Sequence, residues 1–122
     1  MLHCPATIVL AGPEDEAARA ALTAELRDRR IAMVYSGTAE PARTVAAALA
    51  ADLDAGAAES AELTGLDPEA CGRAELAHRL QSVADLHRGE TVLVIADRSE
   101  ASAAPIEVEI GDDGVRIVHR TR

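Results

Sequence analysis

Residues 89 to 98 read Gly-Glu-Thr-Val-Leu-Val-Ile-Ala-Asp-Arg, and this stretch decides the fold class. Thr91–Ala96 is almost wholly apolar, with Gly89 before it and the charged residues Asp97 and Arg98 after it. Such a run predicts a strand buried on both faces, as in parallel sheets that helices cover. Polar residues directly after a strand of this kind lie at the edge where open α/β sheets bind ligands.

Two similar strands and three helices are predicted from the rest of the chain. Ala6–Ala11 and Ile31–Tyr35 are short apolar runs of the same type. The alternation of strands with helical patterns favours a mostly parallel sheet between helices. The helical segments run from Pro13 to the arginines at 27, 29 and 30, from Glu40 to about Ala51, and from Arg73 to His87.

The C-terminal part predicts an antiparallel hairpin. Ile106–Ile110 alternates apolar and polar residues, and Val115–Val118 follows across an Asp-Gly turn. Asp54–Thr64 is weakly patterned and leaves room for one short strand. We therefore expect residues 1–122 to form a single domain, a three-layer-type α/β sandwich with a mostly parallel sheet and an antiparallel C-terminal hairpin.

The composition restricts the setting and the partners. The net charge of −9 argues against a nucleic-acid or anionic-membrane surface, and no apolar stretch approaches the roughly 20 residues of a membrane span. We see no signal peptide, and Cys4 and Cys71 do not form a disulfide framework, so a cytoplasmic location is expected. All 12 basic residues are arginine, which we interpret as the codon bias of a GC-rich, actinobacterial genome.

Three blocks of the chain resemble the histidine phosphatase (phosphoglycerate mutase-like) superfamily. Residues 8–12, Ile-Val-Leu-Ala-Gly, are similar to its Leu-Val-Arg-His-Gly, and residues 34–46 are similar to its Tyr-Ser-Ser-Pro-Leu-x-Arg-Ala-x-Gln-Thr-Ala. Residues 89–98 resemble its Gly-Glu-Thr-Val-Leu-Val-Val-Ser-His-Gly, and the closing Arg-Ile-Val-His at 116–119 resembles its last strands. The resemblance implies a phosphoglycerate mutase-like fold.

The family's catalytic positions are nevertheless substituted. The resemblance places its nucleophilic histidine at Ala11, its second histidine at Asp97, and its two phosphate-binding arginines at Leu10 and Pro41. Phosphoryl transfer needs a nucleophile and charged donors around the phosphoryl group, so the family mechanism is not expected here. The family's general acid would stand near Glu59 or Glu62. The candidate pocket comprises Ala11, Gly12, Glu14, Ser36, Glu40, Arg43, Asp97 and Arg98.

Self-association is a further expectation. The superfamily usually has a helix after its late strand, and residues 99–105 are too few for one. We therefore interpret the chain as truncated, with apolar surface uncovered on one sheet face. A homodimer or another protein partner, through that face or the edge of the 106–118 hairpin, is predicted.

Two functional hypotheses follow. One is a non-catalytic protein that acts by binding or assembly. The other is an enzyme with new chemistry, in which Asp97 is the acid or base and Arg98 or Arg43 orients an acidic substrate. No cofactor motif is present, and the histidines and cysteines match no metal-ligand spacing, so neither group is expected. Ser36 and Ser99 are better explained by turn capping than as nucleophiles.

Overall fold

The computed structural model describes residues 5–12, 16–67, 72–96, 106–111 and 114–120. These ranges contain six strands and three α-helices, with a 3-10 turn at Ala61–Leu63. The elements are β1 (Ala6–Ala11), α1 (Glu16–Leu26), β2 (Ile31–Ser36), α2 (Glu40–Leu53), β3 (Gly56–Glu59), α3 (Arg73–Leu86), β4 (Thr91–Ile95), β5 (Ile106–Gly111) and β6 (Gly114–Arg120).

All six strands form one sheet in the order β3-β2-β4-β1-β5-β6. The pairs β2–β3, β2–β4 and β1–β4 are parallel, whereas β1–β5 and β5–β6 are antiparallel. The predicted mostly parallel sheet with an antiparallel C-terminal hairpin is therefore confirmed. The weak pattern around residues 54–64 does contain one short strand, β3.

Helices cover the sheet from both sides because the buried strands alternate between two apolar faces. On one face Ile8, Leu10 and Val94 pack against α3. On the other, Val9 and Leu93 pack against α1 and α2. The core consists of aliphatic side chains and Tyr35, as the composition requires.

Several element boundaries differ from the sequence prediction. Helix α1 ends at Leu26, so the arginines at 27, 29 and 30 lie in the following turn and not in the last helical turn. Arg29 instead forms two hydrogen bonds with the carboxylate of Glu107, at 2.7 and 3.1 Å. Helix α2 continues to Leu53 and ends at Asp54, whose left-handed φ of 57° turns the chain into β3.

The described residues do not leave the predicted apolar sheet face uncovered, so that prediction is wrong for them. Each residue of β4 after Thr91 is completely buried. On the face of β5 away from α3 the strand carries Glu107 and Glu109, which form ion pairs with arginines. Among the described side chains, Leu86 is the large apolar one that remains exposed. The homodimer itself stays a prediction and needs a different physical basis.

No helix within the described ranges combines the length and the apolar character that crossing a membrane requires.

Candidate functional site

The candidate site lies where the parallel strands end. Ala11 at the end of β1 and Ser36 at the end of β2 both pair in register with Ile95 at the end of β4. The Ala96 N–H donates to the Ala11 carbonyl at 2.6 Å. Because parallel strands share one direction, their carboxyl ends meet at a single edge. The structure thus brings Ala11 and Ser36 to the same edge, one on each side of β4.

The first strand contributes no polar side chain to this edge. Leu10 is fully buried on the α3 face, and Ala11 is 2% exposed on the face of α1 and α2. Gly12 is also buried. At the two positions that the resemblance assigns to an arginine and a nucleophile, the chain therefore presents aliphatic side chains packed in the core.

Ser36 is held in a closed turn. Its buried hydroxyl donates to the carbonyl of Gly37 at 2.9 Å. A Cβ atom on Gly37 would lie 2.6 Å from the Cα of Thr64, so this position accepts only glycine without a shift of backbone. The Thr38 N–H donates to the Thr64 hydroxyl at 3.0 Å and fixes the same contact. The Ser36 hydroxyl therefore serves the turn, as the sequence favoured.

The charged candidates of this edge belong to α2 and β3. Glu40 is exposed in the first turn of α2, next to Pro41. The guanidinium of Arg43 lies 3.5 Å from the carboxylate of Glu59, with the side chains 47% and 50% exposed. Glu59 of β3 lies opposite Ser36 of β2, because the two strands pair in this register. Sequence reasoning did not find this ion pair, since nothing in the weak 54–64 pattern fixed the register of β3.

A shallow groove of about 490 Å³ runs beside this ion pair. Alanines of α2 and β3 make up four of its seven lining residues. Its lining comprises Ser36, Arg43, Ala46, Ala47, Ala57, Ala58 and Glu59.

Three members of the predicted pocket, Glu14, Asp97 and Arg98, lie outside the described residues. Glu62 lies in the 3-10 turn and is exposed, and its carbonyl accepts a hydrogen bond from the Nε of Arg79 at 2.6 Å. Arg79 also donates to the Thr64 carbonyl. The structure therefore joins Ala11, Gly12, Ser36, Glu40 and Arg43 to one end of the sheet and leaves the acid–base proposal for Asp97 untested.

A hydrogen-bonded chain of three titratable residues lies elsewhere. The hydroxyl of Tyr35 is 2.7 Å from Nε2 of His87, and Nδ1 of His87 is 2.7 Å from Glu90. The two rings meet edge to face with centroids 5.5 Å apart. Burial, and secondly the negative charge of Glu90, raise the pKa of Tyr35 above its ordinary value. Sequence reasoning missed this chain, although a lone tyrosine in a buried strand needs a partner for its hydroxyl.

In the part of the chain that the structure describes, no three His, Cys, Asp or Glu side chains are grouped as metal ligands would be.

Solved structures with the same fold are found in phosphoglycerate mutase-like proteins. Bacillus stearothermophilus YhfR has a TM-score of 0.66 and 14% identity, over 93% of this chain and 95% of YhfR. Phosphoglycerate mutase from Plasmodium falciparum has a TM-score of 0.61 and 12% identity, over 95% of this chain and 90% of the mutase. SixA from Agrobacterium tumefaciens, provisionally named a phosphohistidine phosphatase, has a TM-score of 0.56 and 9% identity, over 98% of this chain and 97% of SixA.

The chain thus has the same mixed α/β fold as these three structures, and the phosphoglycerate mutase-like fold that the resemblance implies is confirmed. At the level of sequence, no protein family and no curated protein matches it. The structural matches extend over 90% or more of each compared chain, so the interpretation as a truncated member stays a prediction.

Proposed function

We propose that this chain is a non-catalytic protein with a histidine phosphatase-like fold, which acts by binding or assembly and not by phosphoryl transfer. The observation that carries the proposal is the burial of Leu10 and Ala11 in the two cores at the end of β1. A nucleophile must reach phosphorus, and an oxyanion needs charged or polar donors within hydrogen-bonding distance. Aliphatic side chains supply neither.

The charges of the described edge also support the proposal. Arg43 is the one cation among the described pocket residues. Its guanidinium already forms an ion pair with the carboxylate of Glu59, at 3.5 Å. Glu40 adds a further exposed carboxylate in the same helix. With a net charge of −9 on the chain, the long-range field repels a phosphate ester. We include an actinobacterial origin in the proposal, on the basis of the all-arginine composition, and a cytoplasmic location, because Cys4 and Cys71 do not form a disulfide framework.

A turnover assay tests the proposal directly. The purified full chain would be incubated with p-nitrophenyl phosphate and a panel of simple phosphomonoesters, before and after an additional purification step. We expect no turnover above the buffer rate. A trace activity from a contaminating phosphatase would fall with repurification and would be equal in an Asp97→Ala variant.

The same assay addresses the competing enzyme hypothesis. Turnover that survives repurification and is lost in Asp97→Ala would overturn the non-catalytic proposal. A parallel Arg43→Ala variant separates the roles in that case. If Arg43 orients an acidic substrate, its loss raises KM, whereas loss of an acid or base at Asp97 lowers kcat.

A further inference from the structure

The connections that follow two neighbouring strands, β2 and β3, leave the sheet toward opposite faces. Strand β2 leads into α2, which packs on one face through Val45 and Leu49. Strand β3 leads toward α3, which packs on the other face through Leu80 and Val83. Open α/β sheets bind ligands at the carboxyl ends of two such strands, because the diverging connections leave a crevice there. The topology therefore favours a ligand at the ends of β2 and β3.

The groove between α2 and β3 lies at this place. Directly over Gly37 the backbone of Thr64 fills the space, since a Cβ atom on Gly37 would lie 2.6 Å from it. The open volume of about 490 Å³ lies alongside, where Ser36 and Glu59 contribute to the lining. Small-molecule sites typically occupy roughly 300–1,000 Å³ and combine mostly apolar walls with a few polar groups. The groove has both features, in its four alanines and in the charges of Arg43 and Glu59.

Arg43 and Glu59 present two opposite charges at short range in the groove. A guanidinium nitrogen of Arg43 lies 3.5 Å from a carboxylate oxygen of Glu59, and each side chain is about half exposed. This long contact uses a small part of the hydrogen-bonding capacity of either group. The remaining N–H donors of Arg43 and the remaining acceptor sites of Glu59 can therefore bind a ligand while the ion pair persists.

The balance of these charges restricts the class of ligand. A simple anion bound to Arg43 would lie beside Glu59, and a simple cation bound to Glu59 would lie beside Arg43, so each would meet a like charge. A molecule that carries both charges close together meets an opposite charge at each. In addition, the net charge of −9 repels anions but does not repel a molecule of zero net charge.

We propose that this groove binds a free α-amino acid with an aliphatic side chain, in its zwitterionic form. The proposal rests on the proposed function, because it names the ligand of a protein that acts by binding. In an α-amino acid the amino nitrogen and the carboxyl carbon are about 2.5 Å apart, a spacing short enough to span the Arg43–Glu59 pair. The guanidinium of Arg43 donates to the ligand carboxylate, and the ligand ammonium group donates to Glu59, so that opposite charges alternate.

The alanines of the groove account for the aliphatic side chain. Ala46 and Ala47 of α2, with Ala57 and Ala58 of β3, have methyl side chains that form no hydrogen bonds. Ala47 and Ala57 are exposed, so an aliphatic side chain that covers them removes apolar surface from water. A polar side chain would lose water at these methyl groups without gaining a partner.

An NMR titration of the isotope-labelled full chain with L-leucine tests the proposal. We expect saturable shifts of the backbone amides of Ala47, Ala57 and Glu59, with a dissociation constant in the millimolar range. N-acetyl-L-leucine keeps the carboxylate without the ammonium group, and L-leucinamide keeps the ammonium group without the carboxylate. Each should bind about tenfold more weakly than leucine or worse. If either bound as tightly as leucine, or if leucine gave no saturable shift at the groove, the proposal would be overturned.

Two charge variants test the role of each residue with the same three probes. Arg43→Gln should weaken leucine binding about tenfold and abolish the preference for leucine over leucinamide, since the carboxylate has lost its partner. Glu59→Gln should weaken leucine binding similarly and abolish the preference over N-acetyl-leucine. A merely structural role would lower the affinity for all three probes alike. Because the ion pair is exposed, both variants are expected to fold, which far-UV circular dichroism checks.

The matched control is Arg116→Gln, which removes an exposed guanidinium that is paired with Glu109 at the opposite edge of the sheet. It should leave the dissociation constant of leucine unchanged. A loss equal to that of Arg43→Gln would show an effect of overall charge and would overturn the proposal. Phosphomonoester turnover by a chain that binds leucine would overturn the proposed function and leave this site standing. Absence of both turnover and leucine binding would overturn the site alone, so the two failures are distinguishable.

Discussion

The two ends of the central strands use their side chains in different ways. At the carboxyl ends lie Ala11, the self-satisfied Ser36 and an exposed Arg43–Glu59 pair. On the face of α3, the hydroxyl of the buried Tyr35, the penultimate residue of β2, is joined to His87 and Glu90, which precede the amino end of β4, in a continuous hydrogen-bonded chain. The end where α/β proteins bind ligands is the chemically poorer of the two.

This contrast shows that neither a raised pKa, as at Tyr35, nor a hydrogen-bonded histidine, such as His87, is enough to identify a functional site. Tyr35 is 7% exposed and joins β2 to the end of α3, so its chain of hydrogen bonds fastens one element to another. Structural networks perturb pKa values as active sites do. We therefore interpret the Tyr35–His87–Glu90 chain as a structural fastening.

The largest expected effect comes from the turn that closes the carboxyl end. Gly37→Ala places a Cβ atom 2.6 Å from the Thr64 backbone, and neither segment can move without breaking the Thr38–Thr64 hydrogen bonds. We expect overpacking to lower the free energy of unfolding by about 3 kcal/mol. Urea denaturation followed by circular dichroism measures the change.

Gly72→Ala is the matched control for this substitution. Nothing lies within 4 Å of a Cβ atom at Gly72, and its carbonyl bond to the Leu76 N–H does not involve a side chain. We expect a loss below about 1 kcal/mol, from the poorer helix cap alone. Equal losses at the two positions would mean that the Gly37–Thr64 contact is not tight.

The second prediction concerns the fastening at the other end. His87→Ala leaves the buried Tyr35 hydroxyl without its hydrogen-bond partner, and an unsatisfied buried polar group costs about 1–3 kcal/mol. Chemical denaturation of His87→Ala, Tyr35→Phe and the double variant gives the coupling energy between the two side chains. His78→Ala, on the exposed face of the same helix, should change stability by less than about 0.5 kcal/mol. Additive single effects would contradict a direct Tyr35–His87 bond.

The third prediction uses the fact that Tyr35 is the single tyrosine and that tryptophan is absent. Burial raises its pKa in the folded state, so tyrosinate absorbance should appear at higher pH in buffer than in concentrated urea. The unfolded chain then loses this proton first, near pH 10, and stability falls as pH rises further. Below pH 10 this contribution is fully present.

Glu90→Gln separates the two causes of that shift. Removing the carboxylate should lower the folded-state pKa of Tyr35 while leaving the larger effect of burial. If the folded wild type and the urea-unfolded chain showed the same titration midpoint for Tyr35, the hydroxyl would be solvated in the folded state, contrary to this prediction.

The sequence predicted the fold better than the site, for a physical reason. Apolar runs such as Thr91–Ala96 report burial on both faces, and their alternation with helices limits the topology to a few choices. Hydrogen bonds between side chains that are distant in sequence have no such pattern. The partners of Tyr35 and Arg29 lie 52 and 78 residues away in sequence, and only the strand order brings them together.

The positions of some candidate residues in the fold could be predicted. The carboxyl-end positions of Ala11 and Ser36 followed from strand ends alone, whereas the Arg43–Glu59 pair required the register of β3. The prediction of an uncovered apolar face was wrong because it considered the number of helices and not the carboxylates of Glu107 and Glu109 in β5. The alternation along β5 places its polar residues on the face away from α3, so this part of the sheet needs no helix to cover it.

The smallest expected effect is the worth of the Arg43–Glu59 pair within one chain. Both side chains are about half exposed and 3.5 Å apart, so entropy and solvent offset most of the attraction and a double-mutant cycle should give less than about 0.5 kcal/mol. The comparison is Arg29–Glu107, whose carboxylate is 18% exposed and makes two bonds to one guanidinium. There a cycle should give about 1 kcal/mol, since charge-assisted paired bonds are stronger when partly buried. Both cycles are measured by urea unfolding of the full chain at dilute protein. If the Arg43 pair were the stronger one, its two side chains would be held in a fixed geometry, and the carboxyl end could no longer be described as the chemically poorer end.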